Sequence, residues 1–137
     1  MTFAELITRI EESVGMKTFW QDEDGSKTVT IKDVIKELDK QNIPVKEMST
    51  NKLKPILINQ DYEGKNKERV SKANLEYPII VIISKGKYKS ILDGNHRVAK
   101  ALKEKIKTVK VRELDLDSKH TPKIYKDLFD YEIEKKY

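Results

Sequence analysis

The chain has 137 residues with 28 Lys+Arg against 23 Asp+Glu, a formal net charge of +5, 37% charged and 37% apolar residues, and no cysteine. That length suits one domain with a single modest core, and the basic balance, with a pI near 9.2, makes an anionic partner reasonable. Without cysteine, disulfides, thiolate catalysis and Cys-based zinc sites are excluded. No apolar signal core opens the chain and its longest apolar run, Ile79 to Ile83, is too short to span a bilayer; the expectation is a soluble cytoplasmic protein with no membrane partner.

In chain order, Phe3, Leu6, Ile7, Ile10 and Val14 fall on one helical face, and Gly15 supplies a stop. Thr18 to Trp20 reads as a short strand and Asp22 to Ser26 as a turn. Thr30 and Asp33 have the spacing of a capping box, which predicts an amphipathic helix through Val34, Ile35 and Leu38 to about Gln41. Residues 1–43 therefore read as a helical extension packed on the core, because two short helices bury too little apolar surface to stand alone. Residues 44–137 form the domain proper.

From Pro44 the pattern changes. Val45 to Met48 is predicted as a strand, Leu53 to Ile58 with Pro55 as a loop and an extended piece, Asp61 to Lys67 as an exposed loop, and Glu68 to Asn74 as one or two helical turns. The β-branched run Ile79 to Ser84 predicts a strand buried on both faces. Lys85-Gly86-Lys87 predicts a hairpin returning through Tyr88 to Leu92. A helix follows with Val98, Ala101 and Leu102 inward, then a strand from Thr108 to Glu113. Thr121 as N-cap and Pro122 at the first helical position predict a last helix, with Ile124, Tyr125, Leu128 and Phe129 as its stripe. The fold class is α+β, a small mixed sheet with flanking helices.

The chemistry concentrates at Asp93-Gly94-Asn95-His96-Arg97, where a strand turns into a helix. Helix N-termini present free N–H groups and partial positive charge, and Gly94 permits close approach of a ligand. This one turn carries one of the chain's two histidines and one of its four arginines, the others being His120, Arg9, Arg69 and Arg112. Arg97 has the planar fork for bidentate phosphate contact; its alternative is a surface arginine paired with Asp93 or Glu104. His96 can donate to a phosphoryl oxygen or move a proton. Asp93 has three readings: helix N-cap, Mg²⁺ ligand or activator of a hydroxyl nucleophile. Asn95 can contact phosphate or ribose, or favour the turn, and Lys100 lies one turn on from His96. Trp20, Tyr62 and Tyr77 can stack on bases, although single aromatics between charged residues more often serve packing.

The span from Val45 to Leu116 resembles the ParB/sulfiredoxin superfamily. The resemblance rests on the Pro78 to Val81 strand, the hairpin with Gly86, the Asp-Gly-Asn-His-Arg signature, the helix through Ala99 and Ala101, and the Thr108 to Val111 strand. It implies an α/β domain that binds nucleotide phosphates at the signature, with ATP or another NTP and Mg²⁺ as cofactors. Asn95 stands where sulfiredoxins carry their catalytic cysteine, so sulfinate reduction is not expected. No helix-turn-helix region follows, so centromere reading as in ParB proteins is not expected either. The His-Arg form lies closer to the kinase and sulfiredoxin branches, and stand-alone phage and bacterial proteins with this signature are similar in size.

By the same resemblance Lys67, Arg69, Ser71 and Lys72 add basic and hydroxyl contacts, and Glu47 acts on a substrate hydroxyl. The expected site is thus catalytic Asp93, His96 and Glu47, with Gly94, Asn95, His96, Arg97, Lys100 and Arg69 on the nucleotide and Asp93 on the metal. The expected function is an NTPase or phosphotransferase. The alternatives are a DNA-binding or nicking module, and a catalytically silent regulator with a host protein as partner.

Overall fold

A computed structural model describes residues 19–21 and 28–136. The helix expected over Phe3 to Val14 and the turn at Asp22 to Ser26 lie outside the described residues. The elements are β1 (Phe19–Gln21), β2 (Thr28–Thr30), α1 (Ile31–Lys40), β3 (Lys46–Ser49), α2 (Thr50–Leu53), a 3-10 turn (Lys54–Ile56), α3 (Lys67–Lys72), β4 (Ile79–Ser84), β5 (Lys87–Asp93), α4 (Asn95–Lys103), β6 (Thr108–Asp115) and α5 (Lys123–Lys136). Helices and a mixed sheet make the α+β class.

The main sheet has the order β3-β6-β4-β5. β3 pairs antiparallel with β6, β6 runs parallel to β4, and β4 pairs antiparallel with β5. Side chains alternate along each strand, so the sheet has two buried faces. Ile79, Val81, Ile91, Val109 and Val111 meet Val98 and Ala101 of α4 on one face. Ile80, Ile82 and Leu114 meet Val34, Ile35 and Leu38 of α1 and Tyr125, Leu128 and Phe129 of α5 on the other. β4 is buried on both sides, with Ile79, Ile80, Val81 and Ile82 at 0–2% exposure, as its unbroken β-branched run predicts.

Local chemistry explains the element ends. The capping box forms: the Thr30 hydroxyl accepts from the Asp33 N–H at 3.1 Å, and Asp33 Oδ2 accepts from the Thr30 N–H at 2.9 Å. Arg112 closes the other end of α1, donating to the Ile43 carbonyl at 2.7 Å and to Asp39 at 2.8 Å. The β4–β5 hairpin turns through Lys85 (φ 54°) and Gly86 (φ 72°), the double positive φ that matches strand twist.

One element is additional to those expected: β2 is a strand that pairs with β1, Trp20 facing Val29; its three residues are too few for a periodicity to show. Three expectations are corrected. β3 starts one residue later than Val45. Leu53 to Ile58, expected as loop and extended chain, starts with the last residue of α2 and the 3-10 turn, with Pro55 in the opening turn of the latter, where a missing N–H is tolerated. α5 begins at Lys123, after Pro122, and the Thr121 hydroxyl donates to the Asp115 carbonyl at 2.7 Å instead of capping. Among the described residues no helix is long and apolar enough to cross a membrane.

Candidate functional site

β5 delivers the signature to one end of the sheet. Its register against β4 shifts, so that Ile91 faces Val81 but Asp93 faces Ile80, with Leu92 as the extra residue. A bulge of this kind re-aims the next side chain. Gly94 follows with φ 110° and ψ 20° as the residue preceding α4. A Cβ there would lie 2.9 Å from Ile79 Cγ1 and 3.0 Å from Arg97 Nη1, so both the backbone angle and the packing require glycine. The expected N-cap role of Asp93 is corrected: Gly94 holds that position, with no side-chain cap.

The next three side chains are enclosed. Asn95, His96 and Arg97 are 3%, 3% and 0% exposed. Asn95 accepts the Ile58 N–H at 3.2 Å and donates to the Ile91 carbonyl at 3.5 Å, tying the 57–60 loop to the turn. Arg97 donates from Nη1 to the Pro78 carbonyl at 2.9 Å, and its Nη2 lies 3.4 Å from Asp93 Oδ2. A buried guanidinium needs such partners to offset its desolvation. The fork expected to hold phosphate therefore faces inward; the ion pair with Asp93 forms, but on a buried arginine and not on a surface one. Lys100, half-buried, donates to the Ser71 and Ala73 carbonyls at 3.0 and 2.8 Å, and so fastens the C-terminal end of α3 to α4.

His96 faces α3 and the loop before it. Its Nε2 lies 3.4 Å from Asn66 Oδ1, and its ring meets Tyr62 edge-on at 6.0 Å between centroids. The Tyr62 hydroxyl donates to the Ile58 carbonyl at 2.6 Å, and burial pushes its pKa up to about 12. Burial lowers the His96 pKa, and the nearby Arg69 and Arg97 guanidiniums lower it further. All three effects favour the neutral imidazole. The contact to Asn66 Oδ1 suits the tautomer that carries its proton on Nε2.

Arg69 completes this cluster. It is half-buried on α3, near enough to His96 to act on its titration. Among the described residues its guanidinium has no hydrogen bond or ion pair.

Glu47 is not part of the cluster. It is exposed on β3, opposite Lys110, at the far edge of the sheet from β5, about 14 Å away over three strand spacings. Lys67 and Ser71 are exposed, and Lys72 pairs with Glu68 on its own helix at 2.9 Å. Trp20 is core, edge-on to Phe129 at 5.3 Å. Asn66, absent from the sequence reading, enters only through the fold, since a lone Asn in a polar loop carries no pattern. Among the described residues no three His, Cys, Asp or Glu side chains gather as a metal site. Comparison of the chain with family models, with curated proteins and with solved structures found no match.

Proposed function

We propose that the protein binds the phosphates of a nucleotide, ATP or another NTP, between α3 and the first turn of α4, and that it acts there as an NTPase or phosphotransferase. The observation that carries this reading is Arg69: a half-buried guanidinium, without a protein partner among the described residues, beside an enclosed His96 whose surroundings favour the neutral form. Arginines in such settings are ordinarily paired, and a phosphate oxygen pair matches the fork. The N–H groups at the start of α4 favour the same charge.

In this reading Arg69 is the phosphate-binding arginine and Arg97 is the brace that shapes the turn. His96 donates its Nε2 proton to a phosphoryl oxygen, which would replace the 3.4 Å contact to Asn66. Asp93 is the carboxylate of the signature, and it already faces Arg97. Mg²⁺ arriving with a nucleotide would therefore rely on phosphate oxygens and water, where it would neutralise developing charge.

The test is a thermal-shift screen of ATP, CTP, GTP and UTP with Mg²⁺ on the wild type and on Arg69→Ala, followed by phosphate-release assays. A ligand at 100 times its Kd should add about 2.7 kcal/mol of stability. The expected result is a shift with at least one nucleotide that Arg69→Ala abolishes. No shift with any of the four would sink the proposal.

A further inference from the structure

On the sheet face opposite α4, a cleft of about 350 Å³ opens between α1 and the start of α5. Asp33 and Glu37 of α1, Ile124 and Tyr125 of α5, and Val29 of β2 line it. Asp33 and Glu37 are one helical turn apart, so both carboxylates lie on one stripe of α1. Gln41, next on that stripe, ties α1 to the loop before α5, donating to the His120 carbonyl at 3.3 Å and the Thr121 hydroxyl at 3.4 Å.

Glu37 stands out in this cleft. It is 8% exposed. Among the described residues its one hydrogen bond comes from the neutral Gln41 amide, to Oε2 at 2.8 Å, and no cationic side chain pairs with it. A carboxylate so enclosed ordinarily has a cation beside it, because an amide leaves its charge uncompensated. Lys36 and Lys40 border the cleft but are exposed, where an ammonium keeps its hydration.

Tyr125 supplies a second acceptor. It is 7% exposed, and its hydroxyl donates to the Asp33 carbonyl at 3.3 Å. Burial, with the Glu37 and Asp33 charges nearby, pushes its pKa up to about 12. The hydroxyl therefore keeps its proton, and its oxygen can still accept. The cleft thus joins negative charge and acceptor oxygens to an apolar wall of Val29, Ile124 and the Tyr125 ring. A primary ammonium, with three donors and no acceptor, matches the polar end. A bound metal matches it less well: among the described residues no three His, Cys, Asp or Glu side chains gather, and hard cations take about six or more oxygens. The volume is at the small end of small-molecule sites, room for a short alkyl stem.

We propose that this cleft binds a primary alkylammonium group, with Glu37 as its counter-charge, the Tyr125 oxygen as a second acceptor, and the stem against Val29 and Ile124. A free aliphatic amine and a lysine side chain of another protein both carry this chemistry. The site lies across the sheet from Arg69 and His96 and is independent of the nucleotide reading.

The test is a titration of the full-length ¹⁵N-labelled protein at constant ionic strength with n-pentylammonium, with Nα-acetyl-lysine methylamide and with 1-pentanol. The expected result is saturable amide shifts in residues 28–37 and 124–125 with at least one of the two cations. The tighter of the two identifies the source. Affinity should be at least about tenfold weaker for 1-pentanol, and for the better cation on Glu37→Gln, which keeps the shape and removes the charge. No saturable shift with either cation would overturn the proposal, and so would equal binding of the neutral alcohol. The alcohol comparison needs the wild type alone, so it decides even where Glu37→Gln fails to fold. Unchanged affinity in a folded Glu37→Gln would also overturn it.

Discussion

Arg97 Nη1 donates to the Pro78 carbonyl oxygen across 2.9 Å from a side chain with no solvent exposure. This bond joins the first turn of α4 to the residue that precedes β4, and the Asp93 carboxylate at 3.4 Å supplies the counter-charge. The signature arginine is therefore an internal brace, and its replacement should register first in stability. Arg97→Ala leaves a buried carboxylate and a buried carbonyl without this donor. Loss of about 3–5 kcal/mol is expected, read from urea midpoints, and Arg97→Lys should recover only part of it because an ammonium lacks the fork. A loss under about 1 kcal/mol would contradict the brace.

Gly94→Ala should cost more than Gly86→Ala. Both glycines have positive φ, but a Cβ at Gly86 meets nothing within 4 Å, whereas one at Gly94 meets Ile79 and Arg97 at 2.9 and 3.0 Å. The hairpin substitution should cost about 1 kcal/mol. The signature substitution should reach about 2–3 kcal/mol through added steric strain. Thermal unfolding of the two variants gives the comparison directly.

His96 predicts a pH dependence with a definite sign. Its native pKa is lowered by burial and by Arg69 and Arg97, whereas the unfolded chain titrates near pH 6.5. The contribution is complete above about pH 6.5 and is lost as pH falls from there toward the native value, since the unfolded state takes up the proton first. The other histidine, His120, is exposed. Urea midpoints between pH 5 and 8 should therefore fall on the acid side in the wild type and flatten in His96→Gln.

Arg69 and Arg97 should separate binding from folding. Arg69→Ala removes no hydrogen bond or ion pair seen among the described residues, so stability should stay within about 0.5 kcal/mol of wild type. Nucleotide affinity, measured calorimetrically, should drop at least about tenfold, the equivalent of about 1.4 kcal/mol. Undiminished affinity would remove Arg69 from the site.

Lys100→Met keeps the aliphatic stem and removes the bonds to the Ser71 and Ala73 carbonyls. A stability loss of about 1 kcal/mol is expected. Hydrogen exchange should quicken selectively in α3, the helix that loses its tether, while β4 amides stay protected. Uniform change across both elements would show that α3 is held by other contacts.

Much of the architecture was legible because it is written in short range. The Thr30–Asp33 capping box, the unbroken β-branched run of β4 and the glycine turn at Lys85-Gly86 each need only near neighbours to declare themselves. β2 and α2 were not legible. Thr28-Val29-Thr30 becomes a strand because β1 is there to pair with it. α2 depends on distant chain: its Thr50 N–H donates to the Lys107 carbonyl at 2.9 Å, and its hydroxyl to that of Ile106 at 2.7 Å.

The candidate site divides the same way. Residue order alone shows that a glycine turn opens a helix after a strand, and that an acid, an amide, an imidazole and a guanidinium share it. It also excludes a thiol there. Which way those groups face follows from the assembled fold. The bulge at Leu92 sets Asp93 opposite Ile80, the fold turns Arg97 and Lys100 to backbone carbonyls, and α3 with the residue before it brings Arg69 and Asn66 beside His96. The physical reason is that side-chain type is a local property of the chain. Solvent access and counter-charge are supplied by elements far away in sequence, and these decide whether a guanidinium can meet a ligand.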